Sequence, residues 1–288
     1  MRSFNALMGA DPAHDRLHHF ETSWLFTPVV FAVLRLIIAV YCLLTTLVIL
    51  ATEGIHGGGI IDVRSFSFFT NLSFAGVQWY FLVAGIHTAF YAATGRSVLF
   101  DKWPRWLRSM HSLFYTTVVC FPFVVAPVYW IMLYRGPWYP DRYNAWSNVS
   151  RHALTPIFAL FEIIFSTVPP SPPLHFAFLL IILCLYLGIA YITYATQRIW
   201  VYPFLDPGPN HIHSGRVAAY IFGVAALQLV VFIVVWGVSY IRMRLVSSKR
   251  TKWAKGGDRA APPAEGAIGD AEMAEGTTTM EVHFDERK

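Results

Sequence analysis

Charged side chains are scarce in this chain. They make up 14% of its 288 residues, whereas hydrophobic residues make up 56%. A soluble domain typically has about a quarter of its residues charged. The apolar residues also form long blocks and do not follow a regular amphipathic spacing. Together these features exclude an ordinary soluble protein and point to a membrane protein.

Cysteine is also rare, and a cleavable leader is not evident. The three cysteines, Cys42, Cys120 and Cys184, all fall inside apolar blocks, where a thiol usually acts as a small apolar filler. This excludes a disulfide framework and a zinc motif. Residues 1–24 carry charges and histidines but no apolar core. We therefore expect the first span to be an uncleaved anchor.

Six segments are apolar enough to cross a bilayer, which takes about 20 residues of helix. They are approximately 28–51, 68–93, 110–134, 151–169, 174–196 and 217–241. The pattern predicts an all-α fold, a polytopic membrane helical bundle of about six transmembrane helices. The fourth segment is the weakest because it is short and contains His152, Pro156 and Glu162. A five-span alternative omits it.

Basic residues predict the orientation, because Lys and Arg favour cytoplasmic loops. They are concentrated after the second and the sixth spans, although five arginines in other loops oppose this assignment. We predict a cytoplasmic amino-terminal segment 1–27, a six-span domain 28–241 and a disordered cytoplasmic tail 242–288, basic and then acidic. The basic part of the tail is expected to hold anionic lipid, or to act only as a topology anchor. No nucleic-acid partner is expected.

Two polar residues each stand near the start of an apolar block. With both termini on one side, Thr70 and His152 lie in the first turns of two inward-running spans, near the same outer face. A hydroxyl and an imidazole in contact there form a nucleophile and its base. The structural alternatives are a Thr hydroxyl bonded to a carbonyl one turn back and an interfacial His bonded to headgroups. Thr155 is a deeper second choice. Pro156 lacks an N–H, so the His152 carbonyl loses its helical partner and a kink is expected.

Arg35 and Glu162 are predicted to form a structural ion pair. Glu162 follows His152 by ten residues, which places it about 15 Å deeper, near mid-bilayer, and too far away to orient His152. Arg35 is the only Lys or Arg well inside a predicted span. A lone charge at that depth is disfavoured. The alternative is a protonated Glu162 bonded to a neighbouring helix.

The remaining histidines suggest weaker alternatives. His87, His111 and His175 all fall near one end of their spans, which leaves open a haem-dependent redox protein. No haem-attachment motif is present, so we predict no cofactor and no metal. His211 and His213 lie in an outer loop, where a solvated turn is favoured over a metal site or a proton shuttle.

Four short motifs occur in an order that resembles the androgen-induced, androgen-dependent family of multispanning membrane proteins. Phe68-Phe-Thr-Asn-Leu-Ser-Phe74 is similar to its Phe-Leu-Thr-x-Ile-Asp-Leu stretch, and Asn148-Val-Ser-Arg-His152 to its Asn-x-x-x-His segment. Pro156-Ile-Phe-Ala-Leu-Phe-Glu162 resembles its Pro-Phe-Ile-Leu-Ile-Glu pattern, and Trp200-Val-Tyr-Pro-Phe-Leu205 matches its Trp-Val-Tyr-Pro-Phe-Leu block. Ser73 replaces an acidic residue of the family, and the spacing after His152 is one residue shorter.

The resemblance implies a membrane threonine hydrolase that cleaves fatty-acid esters of hydroxy fatty acids. Thr70 would then be the nucleophile and His152 the base, while the adjacent Asn71 is a candidate for substrate or oxyanion binding. The substrate would enter from the bilayer. We expect the endoplasmic reticulum or another endomembrane as its location, with the plasma membrane as an alternative. The main functional alternative is a non-catalytic lipid-binding or transport protein.

Overall fold

The computed structural model describes residues 4–9, 18–56, 63–97 and 101–247. The predicted tail lies almost wholly outside these ranges. The helices, in chain order, are α1 Phe4–Leu7, α2 Pro28–His56, α3 Phe69–Thr94, α4 Arg105–Pro127, α5 Arg142–Val149, α6 Thr155–Phe165, α7 Leu174–Gln197 and α8 Ser214–Leu245. Two π-helical turns, Val128–Leu133 and Ser150–Leu154, continue α4 and join α5 to α6. Short 3₁₀ turns cover Val63–Ser67, Pro203–Leu205 and Pro209–His211.

The predicted all-α membrane bundle is confirmed. Four stretches are long and apolar enough to cross a membrane, namely Pro28–Ile55, Arg105–Leu133, Leu174–Gln197 and Ser214–Leu245. The predicted second span coincides with α3, and the fourth with the composite of α5, the π-helical turn and α6. These two stretches are not among the four. α3 is less apolar than the four because it carries the polar residues Gln78, His87 and Thr88, which are buried in the bundle.

Successive long helices run in opposite directions. The hydroxyl of Thr46 in α2 donates to Gln78 in α3 at 2.8 Å, and Arg35 in α2 donates to Thr88 in α3 at 2.6 Å. Residue numbers thus fall along one helix as they rise along the other. We call the end of the bundle where α3 begins the site end, and the opposite end, where α2 begins and α8 finishes, the terminal end.

A close approach of α2 and α3 forms one side of the core. A Cβ added at Gly85 would lie 2.8 Å from a methyl carbon of Leu36 and 3.4 Å from its backbone nitrogen. Small residues allow membrane helices to pack at this separation. Large side chains then fill the interior between the helices: Tyr80 and Phe81 of α3 and Leu179 of α7 are all fully buried.

Part of the amino-terminal segment packs into the terminal end of the bundle. The Ser23 hydroxyl donates to the Phe165 carbonyl at 2.6 Å, and the Trp24 indole N–H donates to the Ile164 carbonyl at 2.7 Å. The last carbonyls of a helix have no partner within the helix. Residues 18–27 therefore complete the end of α6 and belong to the folded core of the bundle.

Candidate functional site

An apolar cavity opens at the site end of the bundle. It has a volume of about 140 Å³ and lies between α4, α7 and α8. Val128, Leu183 and Val224 represent the three walls, while Thr70 and a set of tyrosines supply the polar groups. Ligand sites commonly combine apolar walls with a few polar groups in this way.

Thr70 reaches this cavity from the first turn of α3. The side chain is 9% exposed, and its hydroxyl does not bond a carbonyl one turn back within the described residues. The hydroxyl of Tyr202, which lines the same cavity, accepts the N–H of the preceding residue Phe69 at 3.1 Å and so satisfies one of the free amides that begin α3. Tyr202 therefore fixes the start of the helix that carries Thr70.

His152 lies in the π-helical turn Ser150–Leu154 and is 5% exposed. Its ring stacks on Tyr129, with centroids 3.4 Å apart and planes inclined by 4°. The backbone carbonyl of His152 has no helical N–H partner at Pro156 and accepts the Trp130 indole N–H at 3.3 Å. The ring atom Nδ1 of His152 is buried and has no hydrogen-bond partner among the described residues. A buried polar atom without a partner costs free energy unless a ligand or water bonds it.

The segments bearing Thr70 and His152 are in direct contact. Arg151 donates to the side-chain oxygen of Asn71 at 3.1 Å, so the residues beside the two candidates are hydrogen-bonded. Tyr129 stacks on His152 and also lines the cavity with Thr70. In the described part of the chain, however, no hydrogen bond joins the Thr70 hydroxyl to the His152 ring. The structure brings the two residues to one end of the bundle but not into contact.

Asn71 has a structural position. Its side-chain nitrogen donates to the Ser65 carbonyl at 2.7 Å, while its oxygen accepts from Arg151. The amide thus ties the loop before α3 to the π-helical turn after α5. Asn71 is also not among the residues that line the cavity.

Arg35 and Glu162 form a bidentate ion pair in which neither side chain is exposed. Arg35 Nε donates to one carboxylate oxygen at 3.2 Å, and Nη2 donates to the other. Tyr80 donates to the carboxylate at 2.9 Å, and Thr88 accepts from the guanidinium at 2.6 Å. Glu162 lies in the last turn of α6, and its partner Tyr80 lies near the middle of α3. The contacts show a satisfied structural network.

Two of the histidines at the terminal end lie beside each other. The centroids of the His87 and His111 rings are 5.9 Å apart and their planes are inclined by 24°. The Trp103 ring packs edge-on against both. His175 contacts the Thr116 hydroxyl at 2.7 Å. Among the described residues, no group of three or more His, Cys, Asp or Glu side chains is arranged to hold a metal ion.

Sequence reasoning missed the tyrosines around Thr70. Tyr202 belongs to the Trp-Val-Tyr-Pro-Phe-Leu block, and its neighbour Pro203 begins the 3₁₀ turn Pro203–Leu205. That block was the available signal, but nothing in the sequence places it beside Thr70. Burial raises the pKa of Tyr202 above its usual value. The phenol is therefore neutral at physiological pH and keeps its proton.

Comparison with known proteins adds no relative: no protein-family description, curated protein or solved structure matches the chain. The functional argument therefore depends on the site itself and on the four short motifs.

Proposed function

We propose that this integral membrane protein is a lipid-ester hydrolase, with Thr70 as nucleophile and His152 as base. The observation that carries the proposal is the position of Thr70, which sits at a helix start and lines an apolar cavity. The aliphatic and aromatic lining of this cavity is chemically suited to part of an acyl chain. Fatty-acid esters of hydroxy fatty acids are the proposed substrates, in keeping with the family resemblance of the surrounding motifs.

The proposed reaction has two steps. His152 takes the proton of Thr70 as its oxygen bonds to the ester carbonyl carbon, and the departing alkoxide receives that proton. In the second step His152 takes a proton from water, and the resulting hydroxide attacks the acyl-threonine carbonyl. The fatty acid is released, and His152 gives the proton to the Thr70 oxygen. Because the two side chains are not hydrogen-bonded, transfer needs a bridging water or a rotation of Thr70 when the ester binds.

We further propose that the site faces the outer leaflet, with both termini cytoplasmic, in the endoplasmic reticulum or another endomembrane. Under this orientation the ester enters sideways from the bilayer. Anionic lipid would bind the basic part of the tail by charge attraction.

Covalent labelling tests the proposal. A fluorophosphonate probe should label the wild-type chain in detergent micelles, and both Thr70→Ala and His152→Ala should lose at least 90% of the label. Thr155→Ala is the matched control. Thr155 is a buried threonine on the same composite helix as His152, and its hydroxyl is already engaged because it donates to the Arg151 carbonyl at 2.8 Å. Full labelling of the Thr70 variant would refute the nucleophile assignment.

Lipid binding or transport without chemistry is the second candidate. The predominance of aliphatic and aromatic side chains in the cavity wall favours it, because such a wall binds an acyl chain without any reaction. A fluorescent fatty acid would bind under this hypothesis with equal affinity to wild type and Thr70→Ala, and neither protein would hydrolyse an ester. Hydrolysis that depends on Thr70 would exclude it.

A further inference from the structure

Two tyrosines bond the backbone where α3 begins, and both line the cavity together with Thr70. The Tyr202 hydroxyl accepts the N–H of Phe69, the residue before Thr70, at 3.1 Å. The Tyr186 hydroxyl donates to the Ser67 carbonyl at 2.9 Å. The proton of Tyr186 is therefore already used, and its oxygen remains available only as an acceptor.

Tyr202, unlike Tyr186, acts as a hydrogen-bond acceptor from the backbone. Its oxygen accepts the Phe69 N–H at 3.1 Å. Accepting a hydrogen bond from the positive end of a helix polarises the phenol and makes its O–H a stronger donor. The Tyr202 proton, unlike that of Tyr186, has no backbone acceptor among the described residues.

From this arrangement we infer that Tyr202 is the oxyanion donor of the proposed hydrolase, acting on an acyl ester whose carbonyl carbon lies against Thr70. The inference rests on the proposed function and adds a catalytic residue to it. Asn71, the other candidate, does not line the cavity, whereas Tyr202 does.

The chemical step is as follows. As the Thr70 oxygen bonds to the carbonyl carbon, the electron pair of the carbonyl π bond moves to the carbonyl oxygen. Tyr202 donates its O–H to that oxygen and keeps its proton throughout. The electron pair returns to the carbonyl bond when the alkoxide leaves with the proton held by His152. Loss of one such donor typically lowers kcat by about 10²–10³.

The test compares the purified full-length Tyr202→Phe variant with wild type in detergent micelles, using 4-methylumbelliferyl palmitate as the probe. We expect kcat to fall about a hundredfold while KM stays within about threefold, because the donor acts mainly in the transition state. Tyr240→Phe is the matched control, since Tyr240 lies near the carboxyl end of α8, away from the residues that line the cavity. It should keep wild-type kcat.

A second measurement separates a donor from a structural tyrosine. Replacing Tyr202 by a fluorinated tyrosine lowers the pKa of the phenol and preserves its shape. Because only the protonated phenol can donate, the alkaline limb of the kcat profile should move to lower pH. This variant also keeps the inference testable if Tyr202→Phe does not fold.

The outcomes distinguish the inference from the function on which it rests. Hydrolysis that needs Thr70 but is unchanged in Tyr202→Phe, or an alkaline limb that fluorination leaves in place, overturns the Tyr202 assignment alone. Hydrolysis that persists in Thr70→Ala, or wild-type protein with neither hydrolysis nor labelling, overturns both.

Discussion

Breaking the ion pair between Arg35 and Glu162 from either side should cost nearly the same free energy of unfolding. Both side chains are 0% exposed, so removing one charge leaves the other buried without compensation. A loss of about 3–5 kcal/mol is typical of a buried pair broken in this way. After Glu162→Gln, Arg35 keeps only neutral partners, the Phe20 carbonyl and the Thr88 hydroxyl.

The double variant Arg35→Met/Glu162→Gln removes both charges and with them the desolvation penalty. We therefore expect its loss of stability to be no larger than that of either single variant. If each single change costs about 4 kcal/mol, the coupling energy of the cycle is about 4 kcal/mol in magnitude, well above the roughly 1 kcal/mol of an exposed pair. The difference is large enough to measure.

The assay is reversible unfolding of the purified chain in mixed micelles, followed by far-UV circular dichroism during titration with dodecyl sulfate. Arg244→Met is the charge control, because Arg244 is exposed on α8 and contacts only Tyr240 among the described residues. It should change stability by less than about 0.5 kcal/mol. Additive losses in the cycle, or a loss below 1 kcal/mol for Glu162→Gln, would refute the reasoning.

Three further predictions concern single positions. Arg242→Gln removes the buried guanidinium that donates to the Ile163 carbonyl at 2.6 Å, and the same unfolding titration should show a loss of about 2–4 kcal/mol, because carbonyls at the end of α6 lose their donors. Gly95→Ala places a side chain at φ +67°, which should lower stability in that titration by about 1 kcal/mol. Ala225→Phe fills part of the cavity and should weaken the binding of a fluorescent fatty acid roughly tenfold, equivalent to about 1.4 kcal/mol. Ala219→Phe, on the exposed face of α8, should leave that affinity unchanged. Equal affinities of the Ala225→Phe variant and wild type would contradict the prediction.

The sequence predicted the parts of the structure that follow from the cost of burying polarity in a membrane. Long apolar blocks gave the helix positions to within a few residues. The need to compensate a buried charge singled out Arg35 and Glu162, which the structure brings together. The missing N–H of Pro156 indicated that the carbonyl of His152 would be free, and the Trp130 indole N–H binds it.

Contacts between residues far apart in the sequence could not be predicted from the cost of burying polar groups. Tyr202 lies more than 130 residues after Thr70, and its hydroxyl meets the start of α3 only because the 3₁₀ turn Pro203–Leu205 folds back over the cavity. The stacking of Tyr129 on His152 depends on the π-helical turn that continues α4. Neither contact has a local pattern from which it could be read.

The Arg35–Glu162 network and Thr70 lie at different levels of the bundle. Tyr80, which donates to Glu162, follows Thr70 by ten residues on one continuous helix, a distance of about 15 Å along the axis. Both oxygens of Glu162 have donors, so that network serves to hold helices together. Thr70, in contrast, lines an open cavity. A polar group on an apolar cavity wall is where a ligand can be oriented, and this difference is why the functional tests target Thr70 and the stability tests target the ion pair.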